Sequence, residues 1–305
     1  MRYNRSDETG VRATVYDHTV NVYGLVPDTR VAQRPLDNQG VQYGLAALNN
    51  GEISVRQFLD LNRDIGGFDR DMNHVPERHQ SDPEAARRAI ESWRILYGGA
   101  GLATTPVIDY RTYMDAREGG DIHMLVHQFS TRQRLATANG HIENHVMQIG
   151  GRWGFTEQAP DLGALFRLMD DWLMGIRNDR TASDLAEKVR AHKPTGLTDA
   201  CWREPEAPLL GAEREPETDA SRQRIEQAQS YRGSGECGTL YRAFSTPRQV
   251  AGAPLANDVV ACHLRSPYRS DYAVEFSDAE FAAVSYTHLR AHETVLDLVC
   301  RLLLE

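Results

Sequence analysis

The chain has 305 residues, 41% of them hydrophobic and 25% charged, which is the composition of a soluble globular protein large enough for one large domain or two small ones. A net charge of -9 argues against nucleic acid as a partner, because phosphates demand a basic face. No apolar run approaches the ~20 residues that span a bilayer, and MRYNRSDETGVRAT lacks the apolar segment of a signal peptide.

Val11 to Gly24 alternates well enough for one or two strands. Pro27, Pro35, Asp37 and Asn38 then mark irregular chain. Val41 to Leu48 reads as a short helix that stops at Asn49-Asn50-Gly51. Ser54 and Gln57 have capping-box spacing and open a helix through Phe58 and Leu61, ended by Gly66-Gly67. The overlapping string Asp60 to Asp71 carries oxygen ligands in a calcium-loop order, but Ile65 stands where an EF-hand needs glycine, which favours a polar turn. Asp82-Pro83 starts another helix, carrying Ile90, Trp93 and Tyr97 and closed by Gly98-Gly99. Gly98-Gly99-Ala100-Gly101 follows a helix rather than a strand, so it is a turn and not a dinucleotide loop.

The stretch from Thr105 to Leu135 organises the rest. Pro106-Val107-Ile108 begins a buried strand, and a polar loop follows with Asp115, Gly119, Gly120, Asp121 and His123. Ile122, Leu125, Val126 and Phe129 then recur at the period of one helix face, and the helix closes at Asn139-Gly140. In an open α/β sheet such a loop lies at the carboxyl end of a strand, where ligands bind. Asn144 to Ile149 is a second buried strand. Leu162, Leu165, Phe166, Met169, Leu173 and Ile176 form a long helical stripe, and another helix covers Ser183 to Ala191. The order strand, helix, strand, helix predicts parallel crossover units. After Asp199 the composition changes: residues 203–236 read as a surface excursion, and Thr246 to Phe281 becomes ordered again.

The chemistry that these residues allow is limited. In the α/β-hydrolase order of nucleophile, acid, histidine, Asp115 is placed as the acid. His123 shares its loop, whereas His141 and His145 lie before or within the second strand, and the segment after Ile149 holds no histidine. No Gly-x-Ser-x-Gly occurs, so a triad is not completed within the chain. His123 with His127, and His141 with His145, stand four apart, the spacing of a zinc-chelating helix pair, although HIENH is not the zinc-peptidase order. Four surface or loop histidines are the plainer alternative. Cys201, Cys237 and Cys262 form no Cys-x-x-Cys pair; an odd disulfide framework and ordinary buried thiols are both open.

The segments Arg34 to Gly67, Pro106 to Asp115, Gly120 to Gly140 and Ala251 to Leu264 are similar to a bacterial family, domain of unknown function 6351, over nearly all of residues 10–283. Its members are similar to secreted α/β-hydrolases near the tannases and polyester-oligomer hydrolases, and are about twice this length. The resemblance implies an α/β fold, the C-terminal half of an α/β-hydrolase-like sheet with crossover helices, followed by an irregular cysteine-containing region. It implies an ester hydrolase of a small or oligomeric ester, secreted or periplasmic, with the nucleophile in a preceding half. Asp115 matches the acid loop and His123 the family's Asp-Ile-His; with His145 these are the candidate catalytic residues. No cofactor or metal is expected. A cysteine normally follows the segment matching Tyr272 to Ala283.

Residues 1–198 are thus expected to form the α/β-hydrolase-like part, and 199–283 an extension of the same domain. Val284 to Thr294, VSYTHLRAHET, looks like the translation of a sequencing adapter, so residues 284–305 are set aside as artefact. Two rival readings stand beside the esterase: a secreted binding or structural protein that kept the fold, and a metal-dependent hydrolase using the four histidines.

Overall fold

The computed structural model describes residues 9–12, 14–118, 121–150, 162–203, 224–258, 260, 262–264, 266–286 and 292–294. Two compact units divide the chain, residues 1–96 with 246–305, and residues 97–245.

In the first unit the stretch expected as strands is helical. A 3₁₀ turn, Asp17–Thr19, runs into α1 (Val20–Tyr23). The Thr14 hydroxyl accepts the amides of Tyr16 and Asp17, a local hydrogen-bonded turn that competes with strand pairing. Helix α2 (Leu45–Asn49) is short. Helix α3 (Val55–Asp64) carries the expected capping box, with Ser54 accepting from the Gln57 amide and the Gln57 side chain accepting from the Ser54 amide. Asp60 and Asp64 lie in α3 and pair with Arg63, so the first five residues of the calcium-loop string are helix rather than loop. A two-residue hairpin, β1 (Gly67–Phe68) and β2 (His74–Val75), follows.

Helix α4 (Pro83–Glu91) has proline in its first turn. It ends earlier than its apolar spacing suggests, because the Ser92 hydroxyl donates back to the Arg88 carbonyl and Trp93 turns out at a φ of 62°. Tyr23 of α1 packs on Ala85 and Ala89 of α4.

The second unit holds a four-stranded mixed sheet. Strand β3 (Val107–Arg111) pairs in parallel with β4 (His145–Ile149), joined by α5 (Val126–Asn139). Helices α6 (Leu162–Asn178) and α7 (Leu185–Ala191) lead to β5 (Ala200–Trp202), parallel to β4, and β6 (Arg224–Glu226) returns antiparallel to β5. The parallel crossovers predicted from element order are therefore present, and β5 starts one residue beyond Asp199. All of β4 is buried, as expected for a central strand covered on both faces.

Alternation along β4 sends His145 and Val146 to opposite faces. Val146 enters an apolar cluster with Leu165 and Trp172 of α6, Val189 of α7, and Leu197. The stripe predicted for α6 missed Trp172, whose indole N–H donates to the Val189 carbonyl at 2.7 Å, while Phe166 and Leu173 are exposed. His145 faces α5. That helix starts at Val126, so Ile122 lies outside it and is 81% exposed, while Leu125, Val126 and Phe129 are buried. Gly140 ends α5 in the left-handed conformation. Gly98, at a φ of 95°, lies where a Cβ would sit 2.5 Å from the Arg134 backbone, so the preceding turn approaches α5 as only glycine allows.

Helix α8 (Glu236–Leu240) carries Cys237, which forms a disulfide with Cys201 of β5, Cα to Cα 5.7 Å. Of the excursion expected at 203–236, residues 204–223 lie outside the described residues, and 224–226 pair in the sheet.

The chain then returns to the first unit through α9 (Pro247–Val250), β7 (Cys262–Leu264) and α10 (Asp278–Tyr286). Tyr272, Phe276 and Val284 join Leu48 and Phe58 in its core, with Tyr272 edge-on to both Phe58 and Phe276. Within the segment set aside, Val284 thus packs in this core, and β8 (His292–Thr294) pairs antiparallel with β7.

In this unit, burial and then Arg34, Arg248 and Arg78 push the pKa of His79 down to about 4. A histidine with a depressed folded pKa binds protons more readily when unfolded, so it opposes folding as the pH falls from about 6.5 towards 4. His79→Gln should flatten the acid side of the thermal-stability profile over that window. An unchanged slope between wild type and variant would remove His79 as the cause.

Candidate active site

The loop after β3 carries Asp115, Asp121 and His123, of which Asp121 and His123 pair with each other while Asp115 binds elsewhere. Asp115 uses both carboxylate oxygens on backbone: Oδ1 accepts from the Leu125 amide at 2.7 Å and Oδ2 from the Phe244 amide at 3.1 Å. It therefore ties the entry to α5 to the segment after α8. That segment is fixed further by the Tyr113 hydroxyl, which donates to the Arg242 carbonyl, and by the Tyr113 ring against Tyr241.

Asp121, four residues before Leu125, holds His123. Its Oδ1 lies 2.6 Å from the ring Nδ1 and 2.8 Å from the His123 amide, and its Oδ2 accepts from Arg117. The His123 amide and ring are the main reasons that the Asp121 carboxyl sits below its usual range. An ionised carboxylate at this distance makes Nδ1 the protonated nitrogen and leaves Nε2 as the acceptor. The His123 side chain is 71% exposed. His127 is differently used. Its Nε2 donates to the Ile122 carbonyl at 3.1 Å, and burial, with Arg111, lowers its pKa.

His145 does not join this loop. It starts β4 at the opposite, amino end of the sheet, and its side chain is fully buried. Nδ1 accepts from Arg132 Nε at 3.1 Å, so Nε2 carries the proton, 3.6 Å from Asp109 Oδ2 and beyond hydrogen-bond length. Burial opposes ionising Asp109, but His145, Arg111 and Gln128 outweigh it and hold its carboxyl low. Arg132 grips Asp199 with both terminal nitrogens, one at 2.7 Å, and donates to the His145 carbonyl. Asp199 also accepts the amides of Met147 and Gln229.

Asp109, Arg132 and Asp199 were not singled out by the sequence reading. The available signal was Gln128 and Arg132, four apart on the helix face that also carries the buried Leu135.

The four histidines proposed for metal are not brought together: His123 precedes α5, His141 lies beside Glu143, and His145 is in a strand. Among the described residues no group of three His, Cys, Asp or Glu could hold a metal ion. Nor is any helix among them long and apolar enough to cross a membrane.

A cavity of about 460 Å³ opens at the amino ends of β4 and β5, away from the Asp121–His123 pair. For ester chemistry the exposed pair is the better candidate, because ligands of open α/β sheets bind at the carboxyl ends of strands.

Residues 1–288 match the profile of the tannase-like family of unknown function, DUF6351. The chain belongs to this family. An α/β fold is what membership implies, and the helices and mixed sheet agree with it. The chain matches no curated protein and no solved structure. A tannase-like family points to a relationship with esterases, and the Asp121–His123 pair is the part of this chain whose geometry suits that chemistry.

Proposed function

We propose that this chain is the C-terminal part of a secreted ester hydrolase, with His123 as general base and Asp121 as the carboxylate that orients it. The observation that carries this reading is the Asp121–His123 hydrogen bond on the loop after β3, which leaves Nε2 exposed. In ester hydrolysis Nε2 takes the proton of the attacking hydroxyl and returns it to the leaving alcohol. The nucleophile would be a serine in the preceding half of a longer parent, since the chain holds no Gly-x-Ser-x-Gly. Asp115 then acts as a positioning residue. The Cys201–Cys237 disulfide supports an oxidising compartment.

The test is p-nitrophenyl acetate hydrolysis by the full-length parent. His123→Ala should lower kcat/KM by at least ~10²-fold, the lower end for a general base because the ring is exposed. Asp121→Asn should lower kcat with little change in KM. Wild-type turnover in His123→Ala would end this assignment.

A non-catalytic binding protein that kept the fold is favoured by one observation: both carboxylate oxygens of Asp115, the residue matched to the acid, are spent on the Leu125 and Phe244 amides. Absence of fluorophosphonate labelling in the full-length parent would decide for that reading.

A further inference from the structure

The cavity at the amino ends of β4 and β5 is built from three directions. Ile142, Glu143 and His145 come from the entry to β4, Thr198 and Asp199 from the entry to β5, and Glu226, Gln227 and Ala228 from the end of β6, with Arg132 and Lys193 completing the lining. Its charges are spent unequally. Arg132 and Asp199 satisfy each other, and the remaining acceptor capacity of Asp199 goes to two backbone amides. Glu226 is paired with Arg224. Glu143 Oε2 accepts from the Ile142 amide and faces His141. The Gln227 side chain is occupied by the Cys237 amide and the Ser234 carbonyl.

Lys193 is the exception. Its ammonium carries three donors and gives one to the Glu143 carbonyl at 3.1 Å. Among the described residues it pairs with no carboxylate. The Trp172 ring lies 5.9 Å from Nζ and fixes the stem. Burial pulls its pKa down against the pull of Asp199, so the ammonium is incompletely compensated where it stands. Among the described residues two donors of this half-buried cation are unspent, and they call for an anion of low charge. Ile142 and Ala228 offer that anion's body an apolar wall.

We infer that this cavity is a second binding site, for a small monocarboxylate whose carboxylate meets Lys193 and whose short apolar body lies against Ile142 and Ala228. A volume of about 460 Å³ is that of a small-molecule pocket. The glutamates on the rim select against polyanions, because Glu143 and Glu226 would repel a second negative charge. The site lies at the opposite end of the sheet from His123, so it does not depend on the esterase reading.

Saturation-transfer NMR on the full chain tests it with sodium butyrate, n-butanol and butylammonium chloride. Butyrate should bind in the millimolar range, and the other two should not. Lys193→Met, which keeps the stem over Trp172, should weaken butyrate at least tenfold. If that variant does not fold, Ile142→Asp at the rim should weaken it to the same degree. Butyrate binding unchanged in either folded variant, equal binding of butylammonium, or no butyrate binding to wild type would overturn the assignment.

Discussion

Arg132→Met is expected to lower the stability of the sheet-bearing unit by about 3–5 kcal/mol, the usual consequence of leaving one member of a buried ion pair alone. Both side chains are largely withdrawn from water, at 13% and 12% exposure. Asp199 cannot turn to solvent without abandoning the amides of Met147 and Gln229, so its charge stays where the partner has been removed. Arg132 also donates to the His145 Nδ1, the sole donor to that nitrogen among the described residues, so a second buried acceptor loses its bond. Burial raises the Asp199 carboxyl, but Arg132 and the two amides outweigh it and hold it below the ordinary range. Such a group stabilises the fold above the usual carboxylate pKa, and that stability is lost as the pH falls through the folded value. The gap between wild type and Arg132→Met in urea titrations should therefore narrow in acid, where both proteins carry a neutral Asp199. Arg132→Met combined with Asp199→Asn should recover part of the loss at neutral pH. A gap that is the same at every pH, or a double variant no better than the single, would show that lost packing is the cause.

How far the sequence revealed this arrangement depended on the range of the interaction. The capping box at Ser54, the buried strand at Asn144 to Ile149 and the left-handed Gly140 are local, and each followed from residues within one turn or one strand. The sequence places Asp115, Asp121 and His123 on one loop but suggests Asp115 as the acid, whereas Asp121 is the carboxylate that meets His123. By contrast, Asp199 reaches Arg132 across 67 positions and Asp115 reaches Phe244 across 129, distances at which one sequence carries no pairing signal. His145 stood as a candidate because it follows Asp115 in the chain, although it lies within the second strand rather than after it. Only the register of β4 shows it at the other end of the sheet, with its ring turned into the polar seam beneath α5. Local alternation misled at Val11 to Gly24, where the Thr14 side chain competes successfully for the amides a strand would need.

Replacing Cys201 and Cys237 together by serine should cost about 4 kcal/mol if the bridge acts by restricting the unfolded chain, since the bond closes a loop of 36 residues. The same loss should follow from dithiothreitol on the wild type, and dithiothreitol should do nothing to the variant. The consequence should also be local. Strand β6 has three residues and, among the described residues, pairs with β5 alone, so it depends on its neighbours for anchorage. Cys237 fastens α8 to β5, and the Tyr241 hydroxyl adds a bond to the Trp202 carbonyl. From there the chain runs directly to Phe244, whose amide binds Asp115. Without the bridge, the amides of residues 224–245 should exchange faster than those of β3 and β4, and the Asp115 clamp on the His123 loop should loosen with them. Uniformly faster exchange across the unit would mean that the bridge acts on the unfolded chain alone. Full reduction without any change in the denaturation midpoint would mean that the Tyr241 and Asp115 contacts already suffice.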